Sequence, residues 1–133
     1  MAIKYSPGRG SVLLCDFNHN SLPEMTKKRP VVVLSDVSPQ LCIVVPFSTT
    51  PPEPLKPHHY QLVDFDTLPP PYDSIVQWVK CDMIYTVSYQ RLSFPFVGKS
   101  ITGKRQYIQK RLSDTDMRNI EKAVLSALQI IKK

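Results

Sequence analysis

Four aliphatic residues in a row, Val31 to Leu34, follow Pro30 and three cations, Lys27, Lys28 and Arg29. A run this short and this uniformly apolar reads as a β-strand buried on both faces. Such a strand needs cover above and below. Pro30 fixes its own φ and drives Arg29 toward extended geometry. Arg29 therefore stands at the mouth of a core strand with little conformational freedom, and rigid elements hold a functional group better than loops do. Lys27 and Lys28, taken alone, read as a solvated charge cluster.

The remaining segments fit around this strand. "GSVLLCDF" (10–17) is a first strand, and residues 18–29 form a long polar loop. "PVVVLSD" (30–36) is the second strand and "QLCIVVPFS" (40–48) the third. "HYQLVDF" (59–65) alternates and predicts a half-exposed strand; residues 74–88 predict one long strand or two short ones. Residues 104–113 are basic and weakly strand-like. The prolines cluster at 46–57 and 69–71 and read as stiff loops. Met117, Ile120, Val124, Leu128 and Ile131 recur at helical spacing. Ser113 and Asp116 resemble a capping box with Asp in place of Glu. Asp114 and Asp116 suit the positive end of that helix, and Lys132 and Lys133 the negative end. Eighteen residues would make a helix of roughly 27 Å. With no repeat and no linker, residues 1–133 read as one domain: a strongly curved, mainly antiparallel sheet with a C-terminal amphipathic helix.

Composition narrows the function. No apolar run reaches the ~18 residues of a membrane span, and "MAIKYSPGRG" lacks the apolar centre of a signal peptide. The expectation is a soluble cytoplasmic protein without a membrane partner. The net charge of +6 favours polyanionic partners. Cys15, Cys42 and Cys81 form no C-x-x-C pair and lie in apolar stretches, so they read as buried thiols and not as zinc ligands. His58 and His59 are adjacent; on a strand they would face opposite ways, and they read as a surface pair. No Walker loop, dinucleotide glycine pattern, H-E-x-x-H or nucleophile elbow is present.

Two stretches could carry chemistry beside Arg29. In "VVPFSTTPP" (44–52) three hydroxyls, Ser48, Thr49 and Thr50, follow the end of a core strand. They can hold a phosphate or simply stabilise a turn. In "WVKCDM" (78–83) strand alternation puts Trp78, Lys80 and Asp82 on one face and Val79, Cys81 and Met83 on the other. The first face is either a stacking and acid–base surface or a solvated ion pair.

The order "GSVLLCDF", a polar loop with Glu24, "RPVVVLS", "CIVVPFST" and "VKCD" resembles the MazF/PemK (Kid) family of type II toxin–antitoxin toxins. The resemblance runs from about Gly10 to the final helix. It implies an SH3-like (CcdB/MazF-type) curved antiparallel barrel and a homodimer. It also implies a metal-independent endoribonuclease that cuts single-stranded mRNA without a cofactor. In that chemistry the 2′-OH attacks the adjacent phosphate and leaves 2′,3′-cyclic phosphate and 5′-OH ends. By resemblance the catalytic residues are Arg29, Ser48 and Asp82, and Glu24, Lys28, Thr49 and Lys80 bind substrate. A transition state that gains charge on phosphorus needs cationic donors already in place, and arginine offers a planar, permanently charged fork. Asp82 would accept the 2′-OH proton, while the proton donor stays open.

The sequence departs from the family at four places, the first being the initial loop, where many members carry glycines and this chain has "NSLPEM". Pro23 stands where one branch has a histidine, Ser48 replaces the commoner Thr, and residues 94–111 are longer and more basic than in compact members. The resemblance further implies a cognate acidic antitoxin masking loop 18–28 and residues 99–111, with DNA bound only through that complex. The competing readings are a gyrase-binding toxin of the CcdB kind and an inactive SH3-like nucleic-acid-binding module.

Overall fold

In the computed structural model, which describes Ile3 and residues 5–130, the two apolar runs become neighbouring strands. β1 (Ser11–Cys15), β2 (Arg29–Ser38) and β3 (Leu41–Ser48) pair antiparallel in sequence order. The outer edge of β3 is shared by two short strands, β5 (Trp78–Lys80) near its end and β6 (Tyr85–Ser88) near its start. The outer edge of β1 is shared in the same way by β7 (Leu92–Ser93) and β10 (Lys110–Arg111). β4 (His59–Gln61) closes one side against β5. The sheet order is β10-β1-β2-β3-β5-β4, and no ladder joins β10 to β4. The sheet is thus the curved antiparallel one expected, with a C-terminal helix, but it does not close into a barrel. β8 (Phe96–Lys99) and β9 (Arg105–Tyr107) form a separate two-stranded ribbon.

Successive side chains of β2 point to opposite faces, and both faces are covered. Val31 and Val33 join Leu13, Cys15, Val44, Phe17 and Leu92 on one side. Val32 and Leu34 join Val12, Val45, Phe47 and the helix residues Met117, Ile120 and Ala123 on the other. Cys15, Cys42 and Cys81 are free and buried, as the sequence suggests. Burial pushes their thiols up to about 12, 11 and 12 respectively, so they stay protonated and unreactive.

The helix α1 (Asp114–Ala127) has 14 residues and is shorter than the sequence pattern predicts. Gln129 adopts φ 60. Its N–H donates to the Ser126 carbonyl at 3.0 Å, and the Ile130 N–H donates to Leu125 at 3.0 Å. This paired reversal ends a helix whatever the hydrophobic spacing beyond it. Leu128 is consequently exposed instead of buried; Ile131, Lys132 and Lys133 lie outside the described residues. At the other end Ser113 Oγ accepts the Asp116 N–H at 3.1 Å, as the cap requires.

The Asp116 carboxylate does not complete the box. It is fully buried and accepts from the Tyr60 hydroxyl at 2.5 Å and from the N–H groups of Val63 at 3.2 Å and Asp64 at 3.3 Å. The strand predicted over 59–65 stops at Gln61: the Leu62 N–H still donates to the Gln77 carbonyl at 3.0 Å, but the next two N–H groups turn to the helix. Burial, with the Asp116 hydrogen bond, pushes the Tyr60 phenol up to about 12. Asp116→Ala should therefore lower the unfolding free energy by roughly 3 kcal/mol, because three part-buried hydrogen bonds to a fully buried carboxylate are lost together. Urea unfolding measures this, and a loss below about 0.5 kcal/mol would show that water replaces the carboxylate.

Candidate nucleic-acid site

Arg29 opens β2 and pairs with Cys15 of β1. The β2–β3 register runs Val33↔Val44, Val32↔Val45 and Val31↔Pro46. Continued by two residues, it sets Arg29 against Ser48. Ser48 pairs in turn with Trp78 of β5. Arg29, Ser48 and Trp78 therefore lie abreast across three strands. Arg29 Nε and Trp78 Nε1 are buried and have no hydrogen-bond partner among the described residues. Buried donors of this kind are rare and call for an explanation.

A cavity of about 470 Å³ opens at this edge. Lys27, Lys28 and Arg29 line it together with Ser48, Thr49 and Thr50, and no carboxylate does. Lys27 and Lys28 are exposed, as a solvated cluster would be, and they also line this cavity beside Arg29. Ser48 is 6% exposed, and its Oγ accepts the Thr50 N–H at 3.2 Å. The local turn anticipated for these hydroxyls is present and leaves the Ser48 O–H free to donate. Tyr72 and the buried Gln77 form the opposite wall. The Tyr72 hydroxyl donates to the Lys28 carbonyl at 3.3 Å, and Gln77 Nε2 donates to Ser74 at 3.1 Å. Burial raises the Tyr72 pKa and the nearby Arg29 charge pulls it back. A larger cavity, about 550 Å³, lies against α1, but its Arg9 and Glu121 neutralise each other in an ion pair.

The acidic candidates lie elsewhere. β5 stops at Lys80, and the chain turns at Cys81 and Asp82, closed by the Met83 N–H donating to Lys80 at 3.1 Å. Residues 74–88 thus contain two short strands, and Asp82 is not on the strand face with Trp78. Asp82 and Glu24 line a separate cavity of about 440 Å³ with Pro23, Met83 and Tyr85. The Met25 N–H donates to the Tyr85 hydroxyl at 2.9 Å and holds loop 18–28 against β6. Burial raises the Tyr85 pKa; the Met25 N–H lowers it, and the Glu24 and Asp82 carboxylates raise it further. Lys80 lines neither cavity and pairs with His59 across β4–β5. The structure therefore brings Arg29, Lys28, Ser48 and Thr49 together and sets Glu24 and Asp82 apart from them.

His58 was missed by sequence reasoning. Its Nε2 is 3.6 Å from Asp82 Oδ2. Strand alternation does not apply to His58 and His59, because β4 begins only at His59 and His58 sits in the preceding turn. Their rings stack edge-on, 4.3 Å apart. Both histidines and Asp82 offer ligand atoms within 4.8 Å of one another, the single such group among the described residues. His59 Nδ1 already accepts the Lys56 N–H at 3.0 Å. Burial, then the charges of His58, Lys80 and Lys56, lower the His59 pKa against the opposing pull of Asp82.

With this geometry in view, the chain can be placed among known proteins. Residues 8–128 match the family of PemK-like, MazF-like toxins of type II toxin–antitoxin systems, and the chain belongs to that family. It is 28% identical to the uncharacterized Escherichia coli K12 protein YifN over 98% of this chain and 97% of that protein. It superposes on an endoribonuclease solved with its cognate antitoxin from a mycobacterial species, with a TM-score of 0.66 and 19% identity over 96% and 100% of the two chains. It also superposes on MazF from Deinococcus radiodurans, with a TM-score of 0.63 and 15% identity over 95% and 99%. These likenesses establish a shared fold.

An unpaired buried donor costs about 1–3 kcal/mol. Arg29→Met keeps the apolar stem and removes that donor. The variant should unfold at the same temperature as the wild type or higher. It should bind an uncleavable single-stranded oligodeoxynucleotide at least about tenfold more weakly. Lower stability with unchanged affinity would make Arg29 a structural residue only.

Proposed function

We propose that the protein is an endoribonuclease toxin that cuts single-stranded RNA without a metal ion. The observation that carries this reading is the carboxylate-free cavity, in which Arg29 presents a buried, unpartnered donor beside Ser48. A phosphate group fits such a wall. Arg29 supplies a fork for two of its oxygens, and Ser48 and Thr49 donate to the same group. The positive charge that grows useful as phosphorus becomes pentacoordinate comes from Arg29, Lys27 and Lys28.

β5 links the two cavities. Trp78 pairs with Ser48, Lys80 follows two residues on, about 6.6 Å away, and Asp82 occupies the next turn. With the phosphate at Arg29, the ribose on its 5′ side extends along β5 toward Asp82. Asp82, with Glu24 and His58 beside it, takes the 2′-OH proton through intervening water, because its cavity is separate from the one that holds the phosphate. The 2′-oxygen then bonds to phosphorus and the P–O5′ bond breaks, which leaves a 2′,3′-cyclic phosphate and a 5′-OH. In-line displacement puts the leaving oxygen on the far side of phosphorus. β2 and β5 flank β3 from opposite sides, so the leaving oxygen falls toward Lys28. His58 on the Asp82 side is then a partner of the base, not the proton donor. The mycobacterial relative was solved with its cognate antitoxin; for this chain we expect an acidic antitoxin that competes for the Arg29 cavity, and a homodimer.

Incubation with mixed-sequence RNA in EDTA should give cyclic phosphate ends; a strict Mg²⁺ requirement or 3′-OH products would rule the mechanism out, and absence of cutting would favour a gyrase-binding or purely RNA-binding role. Arg29→Ala should slow cleavage by about 10²–10³, and Arg29→Lys should recover little of it.

Asp82→Asn should lower the single-turnover rate while leaving RNA affinity within about twofold, because it removes a base and little of the attraction. A near-normal rate would return Asp82 to a simple ion pair with His58.

A further inference from the structure

Between Asp82 and Asp114 the chain contains no carboxylate, yet it carries Arg91, Lys99, Lys104, Arg105, Lys110 and Arg111. The β8–β9 ribbon lies at the centre of this stretch and pairs with nothing in the main sheet. A two-stranded ribbon is marginal in water without further packing. Lys99, Lys104 and Arg105 are exposed, and no carboxylate among the described residues forms an ion pair with any of them.

The ribbon also presents aromatic surface. Phe96 is 40% exposed, and its ring centroid is 5.8 Å from that of Tyr107. The Arg105 guanidinium lies 5.4 Å from the Phe96 centroid, within cation–π range. The tip is held by its own hydrogen bonds: Ser100 N–H donates to Lys104 at 2.7 Å, and Gly103 N–H donates to Ser100 at 2.9 Å. Gly103 has φ +83, a conformation that suits glycine there. The base is anchored by the Ile108 N–H donating to Pro95 at 3.1 Å and by Phe94 packing on the core. The arm is thus ordered at both ends, with Arg105, Phe96 and Tyr107 clustered along it.

We propose that β8–β9 is a second RNA-binding element. Unpaired bases of single-stranded RNA stack on Phe96 and Tyr107, and Lys99, Lys104 and Arg105 take the phosphates between them. Aromatic rings interleaved with unpaired cations suit this occupant, since every base offers a π-face and stacking contributes about 1–3 kcal/mol per base. An acidic protein would match the cations but gives the rings no specific role. The arm therefore grips RNA beyond the cut and makes long strands better substrates than short ones. This inference rests on the nuclease reading for the identity of its ligand and deepens it.

The test compares wild-type protein with a variant carrying Phe96→Ala, Lys99→Gln, Lys104→Gln and Arg105→Gln. Because the ribbon is outside the main sheet, circular dichroism and the melting temperature should be unchanged; a milder pair, Lys104→Gln with Arg105→Gln, serves if they are not. The variant should bind a long uridine-rich RNA at least about tenfold more weakly, with its log–log salt slope shallower by about 2. Its cleavage of a short oligonucleotide spanning only the cut should match the wild type.

Equal affinity for long RNA would overturn the arm while leaving the nuclease intact. Wild-type protein that cuts neither RNA but loses long-RNA binding in the variant would sustain the arm and sink the nuclease. Weaker binding of polyglutamate with unchanged RNA affinity would assign the arm to an acidic protein and overturn the proposal.

Discussion

The β2–β3 ladder is apolar on both faces, which raises the question of what fixes its register. In a half-exposed strand a one-residue slip is forbidden because it drives polar groups into the core. Here a slip would exchange one valine for another. Two prolines resolve the ambiguity. Pro30 pairs opposite Leu14 on β1, and Pro46 pairs opposite Val31 on β2. Neither can donate to a ladder, so each is confined to positions where no N–H is needed. The prolines therefore lock the strands in one alignment, and that alignment sets Arg29 against Ser48. The Arg29 cavity inherits its geometry in part from these two prolines, of which Pro30 also lines it.

This dependence also accounts for which parts of the site were legible in the sequence. Arg29, Pro30 and the valines that follow carry their reading locally, as does Ser48 at the end of its strand. The Ser113 cap was legible for the same reason. The break at Cys81 and Asp82 was not, because Val79 and Cys81 continue the alternation straight through the turn that stops β5. The buried role of Asp116 was hidden too. An aspartate in the first turn of a helix looks like a solvated cap, and nothing near it in the chain announces that Tyr60 and the N–H groups of Val63 and Asp64 will converge on it. The helix end at Gln129 lacks the glycine that normally marks such a reversal. His58 and the β8–β9 ribbon needed three-dimensional pairing to be seen.

Asp116 and Arg29 invite comparison, because each is a charged residue held in the folded core or at its edge. Asp116 is fully buried, and three donors satisfy it. The Arg29 Nε is buried and none satisfies it. A fold able to supply three partners for one buried charge could have supplied one for another, had stability been the only demand. Family membership alone does not require the difference, but a vacant donor next to a free hydroxyl and two lysines, with no carboxylate on the wall, is what binding an external anion requires. On the nuclease reading, the stability forgone at Arg29 is recovered when an RNA phosphate binds. The same asymmetry, on the nuclease reading, extends outward along the chain: Glu24 and Asp82 line the cavity assigned to proton acceptance, and residues 83–113, proposed to hold a polyanion, carry no carboxylate. On that reading the division of charge follows the chemistry of an RNA strand, acidic beside its hydroxyl and basic beside its phosphates.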